Sequence, residues 1–76
     1  MTRFEYLVVF MKNDRVLTAN GHWQGTTERG QDGDSESCPS LFDYLSEAGA
    51  QGWELVSIDP EDAGTAQLYF KRTHSR

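Results

Sequence analysis

Alternating and helically spaced apolar residues divide this chain into a few elements separated by polar stretches. From Phe4 to Met11 the sequence reads Phe-Glu-Tyr-Leu-Val-Val-Phe-Met, and this wealth of β-branched and aromatic residues predicts a strand. Lys12-Asn13-Asp14-Arg15 supplies turn formers. Val16 to Trp23 predicts a second extended segment, interrupted by Asn20-Gly21, a pair that favours positive φ and so a bulge, a reversal or a strand end. Leu41, Leu45 and Ala48, flanked by Phe42 and Tyr44, recur at helical spacing and predict one amphipathic helix. Pro39 suits its first turn, Ser40 and Asp43 form a capping-box arrangement, and Gly52 can close it in the left-handed conformation. Trp53 to Ile58 and Gln67 to Arg72 then predict two more strands, joined by the polar turn Asp59-Pro60-Glu61-Asp62-Ala63-Gly64.

The order is therefore β-β-α-β-β, an α+β fold with a small antiparallel sheet and one helix packed on one face. A length of 76 residues has room for one domain, 1–76. Gln24 to Ser37 contains no apolar residue, so about 24–38 is expected to be a flexible acidic surface loop that adds nothing to the core.

One helix covers one face of such a sheet, and a water-facing second face should be polar at alternate positions. Here it is not. Phe4, Tyr6, Val8 and Phe10 point one way while Leu7, Val9 and Met11 point the other, and alternation sets Trp53 and Leu55 against Val56 and Ile58. Both faces therefore read as buried, and the second is expected to meet another subunit, a partner protein or a ligand. Tyr6, Val8, Phe10, Trp23, Trp53, Leu55 and Tyr69 are the candidate residues for that face.

Charge narrows the partner. Twelve acidic against seven basic side chains give a net charge of -5, which repels phosphate backbones and anionic headgroups, so neither nucleic acid nor membrane is expected as a partner. Lys71, Arg72 and Arg76 with His74 form a small positive patch that reads as a solvated tail. No apolar run approaches the roughly 20 residues of a membrane span, and Met1-Thr2-Arg3 leads straight into a strand, so a cytoplasmic location is expected. Chains this short bury only roughly 60% of the surface they expose when unfolded. The lone Cys38 cannot close an internal disulfide, which leaves assembly as the expected support.

The run Leu45-Ser46-Glu47-Ala48-Gly49-Ala50-Gln51-Gly52-Trp53-Glu54-Leu55-Val56-Ser57, with Phe4-Glu5-Tyr6-Leu7-Val8-Val9 before it and Tyr69-Phe70-Lys71-Arg72 after it, resembles the bacterial domain-of-unknown-function family 4177. The resemblance implies a compact αβ domain and no assigned activity. The residues themselves have structural roles: Gly52 stops the helix, Trp53 anchors the next strand, and Glu54 faces outward, with Lys71 or Arg72 as its expected cross-strand partner.

The remaining chemistry is sparse. Asp32-Gly33-Asp34-Ser35-Glu36 alternates oxygens as a calcium loop does, and Asp43 falls at the twelfth position. However, Ser37 stands at the sixth, where such a loop needs Gly, and an extended segment precedes it instead of a helix. Cys38 lies just before the helix, where the dipole can activate a thiol, yet His22 and His74 lie on separate elements with no spacing that marks a catalytic pair or a zinc site. Trp23, Trp53, Tyr6, Tyr44 and Tyr69 can line a pocket or simply fill core and interface. The reading is a non-enzymatic protein-interaction module, self-associating or an accessory subunit of a larger complex, with no cofactor, metal or catalytic residue. The alternative is a small-molecule-binding domain using aromatic residues between helix and sheet.

Overall fold

Nine consecutive register pairs join residues far apart in sequence, from Phe4 opposite Thr73 to Lys12 opposite Thr65. These are β1 (Phe4–Lys12) and β5 (Thr65–Thr73), the centre of an antiparallel sheet in a computed structural model that describes residues 2–74. β2 (Arg15–Ala19) and β3 (His22–Trp23) extend the β1 side, and β4 (Glu54–Pro60) lies outside β5, giving the order β3-β2-β1-β5-β4. The helix α1 (Leu41–Ala50) crosses one face. The expected α+β class and helix placement are present; the sheet has five strands because Asn20-Gly21 reverses the chain.

Two tight turns build that side. Asn13 and Asp14 link Lys12 to Arg15 with φ of 51° and 65°, and Asn20 and Gly21 link Ala19 to His22 with φ of 50° and 83°. Positive φ at both central residues matches the twist of the flanking strands, and Asn and Asp tolerate it. The Asn13 amide also donates to the Gly64 carbonyl at 2.7 Å, tying this end of the sheet to the β4–β5 turn.

The helix begins as its cap residues dictate: the Asp43 amide donates to Ser40 Oγ at 3.1 Å. It ends at Gly52, whose φ of 90° an L side chain rarely adopts. Its inner side lays Leu41, Tyr44, Leu45 and Ala48 over Leu7, Val9, Val16, Ala66, Leu68 and Phe70. Tyr44 and Phe70 meet with ring centroids 6.5 Å apart.

β4 departs from the alternation expected of it. The pairing with β5 shifts between Leu55 and Ser57, so Leu55 faces Phe70 and Ile58 faces Leu68. A bulge adds one residue and reverses parity beyond it. Leu55 and Ile58 therefore share the helix face and do not oppose each other. Nor is that edge covered on both sides: Leu55, Val56 and Ile58 are 38%, 55% and 54% exposed.

Candidate functional site

The sheet face opposite the helix carries Phe4, Tyr6, Val8 and Phe10 from β1, with Lys71, Tyr69 and Gln67 as register partners from β5. Its Phe4 end is open, with Phe4 44% and Tyr6 64% exposed. Val8, Phe10 and Tyr69 are half-buried. The Lys71 ammonium lies 4.6 Å above the Phe4 ring, an arrangement in which the ring's negative face attracts a cation.

The other end of this face is roofed by the chain itself. The segment after β3 folds back over β2 and ends in a 3-10 turn, Ser35–Ser37. The Trp23 indole Nε1–H donates to the Thr27 carbonyl at 2.8 Å, the Thr27 amide donates to Ser37 Oγ at 3.1 Å, and the Ser37 hydroxyl donates to the Asp34 carbonyl at 2.6 Å. Under this roof Leu17 and Cys38 are buried. The segment expected to add nothing to the interior is thus the cover of a second, smaller apolar layer. Its polar side chains serve as hydrogen-bond partners for its own turns.

Between roof and sheet lies a cavity of about 560 Å³, lined by Lys12, Arg15, Leu17, Trp23, Arg29 and Asp34, with Asn13, Ser35 and Glu36 completing the wall. Arg15 Nη1 donates to the Cys38 carbonyl at 2.9 Å. The Arg29 guanidinium lies 5.1 Å from the Trp23 ring centroid. Asp34 Oδ2 accepts the Gly30 amide at 2.7 Å, which fixes the carboxylate.

Of the residues expected on one shared face, Tyr6, Val8, Phe10 and Tyr69 are brought together, and the register from Phe10 through Thr18 to Trp23 puts Trp23 on the same face at its roofed end. Trp23 stands under the roof, and Trp53 packs against the helix-side core. Leu55 lies on the helix face because its register partner is Phe70. Arg72 stacks 4.2 Å from the Trp53 ring, and its Nε donates to Glu5 Oε2 at 2.6 Å. The expected pairing of Glu54 is therefore corrected. Lys71 is its register neighbour but sits over Phe4, and Arg72 is taken by Glu5. His74 Nδ1 lies 4.0 Å from Glu5 Oε1. Arg76, the last member of the expected positive patch, lies outside the described residues.

Burial pushes the Cys38 thiol above its ordinary range, with Asp34 adding to the shift and Arg15 and Arg29 opposing it. That is the reverse of what a thiolate nucleophile needs. Among the described residues no group of three His, Cys, Asp or Glu side chains is close enough to hold a metal ion. None of their helices is long and apolar enough to cross a membrane. Sequence reasoning missed the convergence of Lys12, Arg15 and Arg29 around Trp23. The available signal was an apolar pair, Leu17 and Trp23, placed just before a stretch with no other candidate to cover it. No family model, curated protein or solved structure matches the chain.

Proposed function

We propose that the chain is a non-enzymatic interaction module that self-associates, two copies packing the open Phe4-Tyr6-Val8-Phe10 faces of their sheets together. The observation that carries this reading is the exposure of Phe4 and Tyr6 at the end of a continuous apolar strip. Aromatic residues on an open sheet face are those that sheet-on-sheet packing buries, at a spacing of about 10 Å. A second copy suits the face electrically. By register, Lys12, Arg15 and Lys71 share it with Glu54 and Asp59, so both signs of charge are mixed on this face of a molecule of net charge -5. The charge that would drive two copies apart lies mainly elsewhere.

Light scattering across a dilution series tests the proposal. The expected result is a dimer that dissociates on dilution, and a Tyr6→Glu variant that is monomeric with an unchanged circular dichroism spectrum. A wild-type chain that is monomeric at every concentration overturns it. The same proposal extends to the likeness to family 4177: Gly52 and Trp53, which carry it, act in helix closure and packing, so membership would bring a fold and no assigned activity. A cytoplasmic setting is part of the reading, and a single buried cysteine is compatible with it.

A further inference from the structure

We infer that the cavity between the roof segment and the β1–β2 end of the sheet binds a small organic anion, a phosphate or carboxylate carried on a flat ring. Three of the chain's seven basic residues, Lys12, Arg15 and Arg29, line this one cavity of an acidic protein. Among the described residues none of the three has a carboxylate within 4.0 Å. Lys12, Arg15 and Arg29 outnumber the carboxylates of Asp34 and Glu36 in the lining by one charge, and with no direct ion pair formed, an oxyanion placed among the three cations can accept their hydrogen bonds. Arg15 is already in position: its Nη1 is anchored on the Cys38 carbonyl, leaving Nε and Nη2 for a ligand.

The ring requirement comes from the other wall. Leu17 supplies an apolar surface, and the Arg29 guanidinium, stacked 5.1 Å from the ring of a Trp23 fixed by its bond to the Thr27 carbonyl, adds a flat cationic plate against which a flat body can lie. A volume of about 560 Å³ falls within the range of small-molecule sites. Asp34 and Glu36 at the same cavity disfavour a bare polyanion. With one Asp34 oxygen held by the Gly30 amide, the other can accept from a hydroxyl or amino group on the ligand. The site thus selects an anion that also carries hydrogen-bond donors. It lies at the roofed end of the sheet face and does not depend on self-association at the open end.

The test follows the Trp23 indole N–H and the roof amides by NMR during titration with adenosine monophosphate for the phosphate class, 4-hydroxybenzoate for the carboxylate class, and inorganic phosphate. Sodium chloride at matched ionic strength is the control. Saturable shifts with either ring anion by about 10 mM, and weaker ones with inorganic phosphate, support the site and identify its anion class. A Lys12→Gln, Arg29→Gln variant should weaken that binding by about tenfold or more. If that double variant does not fold, Lys12→Gln alone, at an exposed β1 position, serves in its place. The inference is overturned if neither ring anion saturates in this range, if chloride reproduces the shifts, or if a folded variant binds as tightly as wild type.

Discussion

A methyl group added at Gly25 would stand 2.5 Å from Ser37 Oγ and 2.8 Å from two atoms of the Trp23 ring. Glycine is required there by close approach, because the roof lies directly on the indole. Gly25→Ala is therefore expected to cost about 1–3 kcal/mol, the range for overpacking. Chemical denaturation measures the cost, and a red shift in Trp23 emission reports the lifted roof. Cys38, beneath the same roof, supplies a pH prediction. Its thiol is raised above the ordinary value of 9.0 by burial, and Tyr44 is raised above 10.0 for the same reason. Above those ordinary values the unfolded chain sheds protons that the folded chain retains, so the folded state loses stability as pH rises. Thermal melts should show the midpoint falling above about pH 9, less steeply in Cys38→Ala. Iodoacetamide should label Cys38 in the native chain far more slowly than in the unfolded one.

At the scale of elements, apolar character in the sequence does not distinguish weight-bearing residues from surface ones. Leu68 and Ile58 face each other across the β4–β5 pairing, yet Leu68 is 1% exposed and Ile58 54%. Leu68→Ala should cost about 2–5 kcal/mol, as large-to-small core changes do. Ile58→Thr should stay within about 0.5 kcal/mol of wild type. Paired denaturant curves decide both. Helix α1, by contrast, was largely legible, because caps and spacing act locally: Ser40 accepts the Asp43 amide and Gly52 closes the helix, although Pro39 lies one residue before the cap instead of in the first turn and the Asp43 carboxylate returns no bond to Ser40. The β4 bulge was not legible, since nothing in Glu54-Leu55-Val56-Ser57 marks which residue the neighbouring strand will skip. The roof was missed for a related reason. A segment without apolar residues can still cover an indole with backbone and hydroxyl groups, and composition counts only side chains.

For the molecule as a whole, the sequence specified the class and helix position and left the division of the second face to long-range packing. One end of that face is closed by the chain's own loop and the other is open, so an apolar count along β1 overstated what needs a partner. The cluster of Lys12, Arg15 and Arg29 was invisible for the same reason, because a turn and a distant loop bring those residues to one cavity. The register of the central strands has a consequence in time. Residue 4 pairs with residue 73 and residue 12 with residue 65, so the middle of the sheet is assembled from segments well separated along the chain. Closing such long loops costs entropy before any contact repays it, and refolding in stopped-flow should fall in the millisecond-to-second range typical of non-local sheets. On the ribosome, β1 emerges without its principal neighbour and waits, apolar on both sides, until β5 has been translated.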